Sequence, residues 1–218
     1  MEIEITEISR RLIAGFLIYI AAGIRFYYEA KTKVRPVRTE TVRHLPVARS
    51  AATISSWSWF MMLMITPIPG VIPLDSVEIT PPLLARALDV TGATLLALAT
   101  VMFYACHRAL GEFWAGAPGL KRDHGLADTG PYRYIRHPMY TSFFLGYVAA
   151  ACLLRSWPFL IPIVFAPGFY VMARVEEGIL GAHFGEIYAT YCRTRGMFLP
   201  RFVSDKARLD PLGRGSSS

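Results

Sequence analysis

Apolar residues in this chain come in five blocks, each long enough, or nearly so, to cross about 30 Å of hydrocarbon at about 1.5 Å per residue. They are Leu12–Tyr28, Ala51–Leu74, Leu83–Cys106, Pro138–Leu154 and Trp157–Val175. Hydrocarbon offers no partner to a backbone amide, so a segment of this kind must satisfy its own hydrogen bonds, and a helix does so. With 53% of its residues hydrophobic, the chain is too apolar for an ordinary soluble domain of 218 residues. The expected fold is all-α, an integral membrane bundle of about five transmembrane helices. It reads as a single domain over residues 1–218. Residues 1–110 carry the first three spans and a basic loop, 111–200 hold a polar loop and a membrane hairpin, and 201–218 form a flexible tail. The second block holds Pro67, Pro69 and Pro73 and is expected to break near Thr66. The first block is followed by Arg25, Tyr27 and Tyr28 rather than by small residues, which argues against a cleaved signal peptide.

The net charge is +7, and its distribution sets the orientation. Between Arg25 and Ser50 lie Arg25, Lys31, Lys33, Arg35, Arg38, Arg43 and Arg49 against Glu29 and Glu40. Around Pro67 to Pro82 there are Asp75 and Glu78 and no Lys or Arg. The bias of basic loops toward the cytoplasm puts the first loop inside and the second outside. Five spans then place the N-terminus outside, with His107–His137 and the tail from Glu176 in the cytoplasm. Arg10 and Arg11 oppose this assignment but are outnumbered. Beside five spans, the basic character is explained by topology and anionic membrane lipids, and no nucleic-acid partner is expected. Cys106, Cys152 and Cys192 have no CxxC spacing, no two histidines stand four apart, and no GxGxxG or GxxxxGK[ST] occurs. No metal site, disulfide framework, dinucleotide fold or P-loop is expected.

Two charged segments flank the last hairpin. Gly130-Pro131-Tyr132-Arg133-Tyr134-Ile135-Arg136-His137-Pro138-Met139-Tyr140 precedes its first helix, and Glu176-Glu177 follows its second. Pro138 suits the first turn of a helix, where its missing N–H costs nothing. Arg136 and His137 then sit at the positive end of that helix, where a carboxylate is welcome, although they can equally snorkel to lipid headgroups. Adjacent acids at a cytoplasmic helix exit are not needed for anchoring. They point to a cavity holding an ammonium group or hydroxyls, and both glutamates are expected at its surface. From Glu177, a helical pattern runs through Leu180, Phe184, Tyr188 and Tyr191. Gly178, Gly181 and Gly185 weaken that pattern as an isolated helix and would allow close packing. The glycine-rich run Gly111 to Gly130 would let backbone approach a ligand. Trp114 within it is expected at headgroup level.

Taken together, these residues resemble the isoprenylcysteine carboxyl methyltransferase family. His124-Gly125-Leu126, Gly130-Pro131-Tyr132 and Arg136-His137-Pro138-Met139-Tyr140 are similar to the first half of its signature. Glu176-Glu177, Leu180, Phe184-Gly185, Tyr188, Tyr191 and Leu199-Pro200 are similar to the second half. The likeness spans Glu112 to Pro200, with one membrane hairpin between the halves. It implies S-adenosyl-L-methionine as cofactor, in a cytoplasmic pocket made by loops and a C-terminal helix. The methyl acceptor would be a lipophilic small molecule or lipidated substrate from the bilayer.

By that resemblance His124, Gly125, Leu126, Tyr132, His137, Pro138, Tyr140, Glu176 and Glu177 would bind the cofactor. Arg136, Arg195 and Glu177 would serve catalysis, the arginines by orienting an anionic acceptor. The wider group includes phospholipid N-methyltransferases and membrane reductases. The reductases tend to carry Arg-Asp-Glu where this chain has Val175-Glu176-Glu177. Gly196-Met197 departs from the more polar or proline-containing stretch of many relatives and leaves the acceptor open. Outside the resemblance stands a non-catalytic membrane protein. It would need polar residues at mid-membrane depth, and the spans offer few, with Arg86 and Asp89 near one end of the third.

Overall fold

The computed structural model describes residues 2–32, 81–114, 119–120 and 124–201, together with the isolated positions 46, 50, 53 and 57. Five α-helices are present among them: α1 Glu2–Lys31, α2 Pro82–Leu110, α3 Pro138–Leu154, α4 Ala166–Phe184 and α5 Glu186–Thr194. Short 3-10 turns occupy Gly111–Phe113 and Gly130–Arg133, and a longer one, Trp157–Phe165, leads into α4. No strand occurs among the described residues. One isolated parallel bridge pairs Ile135 with Gly196. The second expected span, Ala51–Leu74, and the tail from 202 onward lie outside the described residues.

Three segments are long and apolar enough to cross a membrane, Ile8–Lys31, Pro82–Phe113 and Trp157–Phe184, and α3 is a shorter apolar helix between the last two. Only 28% of the most apolar stretch of each of the first two is buried inside the protein. A helix in water would hide that surface; here Leu12, Phe16, Leu83, Val101 and Val164 point outward, as lipid-facing residues do. The chain is an integral membrane protein.

The interior is built from small residues and aromatics. Ala14, Ile18, Ala21 and Ala22 of α1 meet Leu96 and Phe103 of α2 and Phe143, Tyr147, Ala149 and Leu153 of α3. A Cβ at Gly92 would collide with the backbone of Leu153, so α2 and α3 touch main chain to main chain. Such close approach favours helix association in lipid, where van der Waals contact takes over from the hydrophobic effect.

The last expected span is not one uniform α-helix. Pro158, Pro162 and Pro167 remove amide donors, and the chain winds as a 3-10 helix over Trp157–Phe165 before α4 begins. The hairpin turn is as tight as its two residues require. Arg155 adopts a left-handed conformation, φ 46°, with its amide bonded to the end of α3. Its side chain grips Asp89 of α2 with two hydrogen bonds, Nη2 to Oδ2 at 2.7 Å and Nε to Oδ1 at 3.2 Å. Arg10 of α1 also reaches Asp89, 3.6 Å away, and is itself buried. Arg10, which opposed the charge bias in the sequence, is therefore part of an ion cluster tying α1, α2 and the hairpin together.

Candidate active site

At the other end of α3, about 25 Å away by helix rise, the two charged segments meet. Pro138 opens α3 and His137 is its N-cap. The amides just before the helix are already used: Arg136 N–H donates to the Gly196 carbonyl at 2.9 Å and His137 N–H to that of Met197 at 3.0 Å. The Thr141 hydroxyl donates to the Phe198 carbonyl at 2.7 Å. Residues 196–198 thus form a strap across the start of α3, and the helix end does not offer these two amides to a ligand. Gly196 is obligatory there, since a Cβ would strike the Leu199 carbonyl.

With its backbone fixed by the strap, His137 faces both glutamates. Its Nδ1 lies 3.2 Å from Glu176 Oε2 and its Nε2 3.3 Å from Glu177 Oε1. Only the imidazolium can donate from both nitrogens. Burial disfavours that charge, but the hydrogen bonds to Glu176 and Glu177 outweigh it and hold the pKa above the ordinary histidine value. Glu177 also meets Arg136 at 3.2 Å and Arg174 at 2.8 Å. Glu176 accepts from the Tyr140 hydroxyl at 2.6 Å, and the Tyr140 ring stacks on His137, centroids 5.7 Å apart. Three cations therefore share two carboxylates. Glu177 is 7% exposed and Glu176 28%. The expectation that both glutamates are surface groups fails for Glu177. It is the buried node of the cluster, because α4 turns it inward against the end of α3.

Other residues singled out in the sequence lie around this centre. The Tyr132 carbonyl accepts from Tyr191 of α5 at 2.8 Å, and its phenol bonds to Cys106 of α2. Burial raises the pKa of Tyr132 first and foremost, so its phenol is neutral. Burial likewise raises that of Tyr191 despite Arg195 nearby. His124 and Gly125 pack elsewhere: the His124 ring lies 5.1 Å from Phe113 and 6.4 Å from Phe184, and Gly125 lies against the Phe113 ring. Leu126 follows them, half-buried. Phe184 is seven residues past Glu177 on α4, about 10 Å along the axis. The structure thus brings Arg136, His137, Tyr140, Glu176 and Glu177 together, and sets His124–Leu126 at the far end of α4. Arg195 stacks on Tyr191, guanidinium 4.7 Å from the ring centre, and donates to Thr194. Trp114 is buried against His107.

A cleft of about 430 Å³ opens beside Glu177 between α4 and α5. Arg136, Arg174, Glu177, Tyr188 and Cys192 line it, with Gly178, Gly181 and Gly185 along one side. The glycines do not serve helix packing, as the sequence had suggested. A Cβ at Gly178 or Gly185 would meet nothing within 4 Å, and one at Gly181 only the Tyr188 ring at 3.8 Å. Gly185 also ends the expected long helix. Its φ of 55° suits glycine and breaks the pattern into α4 and α5. Arg174 and Cys192 were missed by sequence reasoning. The only signal for Arg174 was its i, i+3 spacing to Glu177.

A family model described as phospholipid methyltransferase matches residues 88–187. It takes in both charged segments and the hairpin between them. Over that stretch, a little under half of its length, the chain is similar to phospholipid methyltransferases. Among curated proteins it is similar to a protein-S-isoprenylcysteine O-methyltransferase of Schizosaccharomyces pombe, 33% identical over 72 residues, which cover 32% of this chain and 30% of that protein. It is also similar to a nickel-cobalt-cadmium resistance protein of Alcaligenes xylosoxydans xylosoxydans, 32% identical over 93 residues, 40% of this chain and 43% of that one. A cobalt-zinc-cadmium resistance protein of Cupriavidus metallidurans is 29% identical over 83 residues, 37% and 38% of the two chains. The matched segments thus span well under half the length of these relatives. Among the described residues no group of three or more His, Cys, Asp or Glu side chains is placed to hold a metal ion. The charge cluster lies inside the matched region.

Proposed function

We propose that this protein moves a methyl group from S-adenosyl-L-methionine to a lipophilic acceptor at the membrane surface, and that the accepting group is a carboxylate, as in an isoprenylcysteine-like or other lipidic acid. The observation that carries the reading is the convergence of Arg136, His137, Arg174, Glu176 and Glu177 beside a cleft of about 430 Å³. That size suits a ligand of the cofactor's class.

The residues fit such a cofactor. Glu176, partly exposed, retains lone pairs for an ammonium group or ribose hydroxyls. Arg136 Nε, on the cleft wall, is a buried donor without an acceptor. An unpaired buried donor costs about 1–3 kcal/mol, and a carboxylate-bearing ligand would relieve it. The open glycine side of α4 leaves room for a flat ring. The cofactor, when bound, supplies an electrophilic methyl on a sulfonium. The protein's share is to position the partners and exclude water.

A carboxylate acceptor arrives already deprotonated and needs no general base. This suits a centre whose histidine is held as imidazolium and whose nearby phenols Tyr132 and Tyr191 are held neutral. An amine would need a base to free its lone pair.

Equilibrium binding to the purified protein in detergent tests the cofactor. S-adenosylhomocysteine should bind and NADPH should not; the reverse would move the chain to membrane reductases. Methyl esters formed on a farnesylated cysteine acid would support the acceptor. Methylated phosphatidylethanolamine with no ester would place the protein among amine methyltransferases. We further propose that the site and C-terminus are cytoplasmic and the N-terminus outside, from the basic loop Arg25–Ser50. Reporter fusions at His44 and Ser76 should read inside and outside respectively, and a cytoplasmic signal at Ser76 would overturn this.

A further inference from the structure

We propose that Arg174 is the residue that selects the charge of the acceptor, by exchanging its partner Glu177 for the acceptor's carboxylate. This rests on the methyltransferase reading above and deepens it. The sequence pointed to Arg136 and Arg195 for that task, and the structure separates these and the neighbouring Arg193. Arg193 is engaged on the outside of α5, donating to Glu186 Oε1 and Thr190 Oγ1, both at 2.8 Å. Arg195 lies flat on the Tyr191 ring and is absent from the lining of the cleft. The guanidiniums that line the cleft are those of Arg136 and Arg174.

These two are not equivalent. Arg136 is 15% exposed and fixed through its own backbone to the strap. It can hold Glu177 but cannot follow an incoming ligand. The Arg174 side chain is 60% exposed and meets Glu177 through a single nitrogen at 2.8 Å. An ion pair this exposed is weak and readily exchanged. When Arg174 leaves, Glu177 keeps Arg136 and His137 as partners, so no buried carboxylate is stranded. The cluster carries three cations on two carboxylates, and a third anion brings it to neutrality. A guanidinium fork accepts a carboxylate with two parallel hydrogen bonds. Arg174 stands on α4 at the end of the apolar block Trp157–Val175, next to Glu176-Glu177, so the head of a lipophilic acid reaches it while the tail stays in lipid.

The test uses the full-length protein in lipid nanodiscs. Binding of a farnesylated carboxylic acid is compared with binding of the corresponding farnesyl alcohol, alongside binding of S-adenosylhomocysteine. Wild type should prefer the acid at least tenfold. Arg174→Ala should abolish that preference with less than a twofold change for S-adenosylhomocysteine, and Arg174→Lys should restore part of it. In turnover, the alanine variant should raise KM for the acid more than it lowers kcat. Equal loss of acid and S-adenosylhomocysteine binding would assign Arg174 to the cofactor and overturn the proposal. So would an unchanged acid preference in Arg174→Ala. Failure of the wild type to bind S-adenosylhomocysteine would instead refute the methyltransferase reading itself, while the acid-against-alcohol comparison would still decide on Arg174.

Discussion

Replacing Glu177 by glutamine separates a structural node from a ligand-binding group. The substitution keeps shape and removes charge. Glu177 Oε2 meets the exposed Arg174 at 2.8 Å, a contact of ~0–1 kcal/mol in water. Its Oε1 lies between Arg136 at 3.2 Å and His137 at 3.3 Å, with side chains 15% and 5% exposed. Those contacts are charge-assisted and sheltered, and losing the charge from them costs ~1.5–3 kcal/mol. The full 3–5 kcal/mol seen on breaking a buried pair is not expected, because the amide oxygen still accepts one donor. Glu177→Gln should therefore lose ~2–3 kcal/mol of stability in detergent, as well as cofactor affinity. Glu176→Gln should lose ~1 kcal/mol or less of stability, since Glu176 is 28% exposed. It should nonetheless bind S-adenosylhomocysteine about 10- to 150-fold more weakly, the equivalent of one lost charge-assisted contact. Thermal melts and isothermal titration on the two variants supply all four numbers. If Glu177→Gln melts like the wild type, the node assignment fails. If Glu176→Gln binds the cofactor product normally, the cofactor site is misplaced.

Three further outcomes follow from the same geometry. His137 has a folded pKa raised above its unfolded value near 6.5. Its contribution to stability is full below that pH and is lost as pH rises through the folded pKa. Unfolding measured across pH 5–9 should show this loss in the wild type and not in His137→Gln. Gly196→Ala forces a Cβ into the Leu199 carbonyl; it should destabilise by ~1–3 kcal/mol and loosen the strap, seen as faster amide exchange at Arg136 and His137. Asp89→Asn removes the negative charge shared by Arg155 and Arg10. It should cost ~2–4 kcal/mol in melting, at the end of α3 opposite the charge cluster, and leave S-adenosylhomocysteine affinity unchanged.

What the sequence determined by itself is what needs only local chemistry or the solvent. A continuous apolar block of this length satisfies its own backbone hydrogen bonds in hydrocarbon only as a helix, so four of the five blocks could be assigned from composition and length, and α1, α2, α3 and the segment ending in α4 contain them. Pro138 fixed the start of α3 because a proline fits a first turn. The pairing of Arg136-His137 with Glu176-Glu177 was also legible, since one hairpin has to return its chain to the face it left.

The tertiary structure decided everything that depends on how a helix is rotated and what crosses it. Glu176 and Glu177 are neighbours in sequence, yet about 100° of helical turn per residue makes one half-exposed and the other buried. Arg195 read as an acceptor anchor, but the turn after α5 lays it on Tyr191 and leaves the cleft to Arg174. Gly178 and Gly181 read as packing surfaces and line open space instead, because Gly185 turns α5 away from α4. The strap over His137 joins residues about 60 apart through backbone groups. Side-chain identity carries almost no information about such a pairing; only the meeting of the two segments in space creates it.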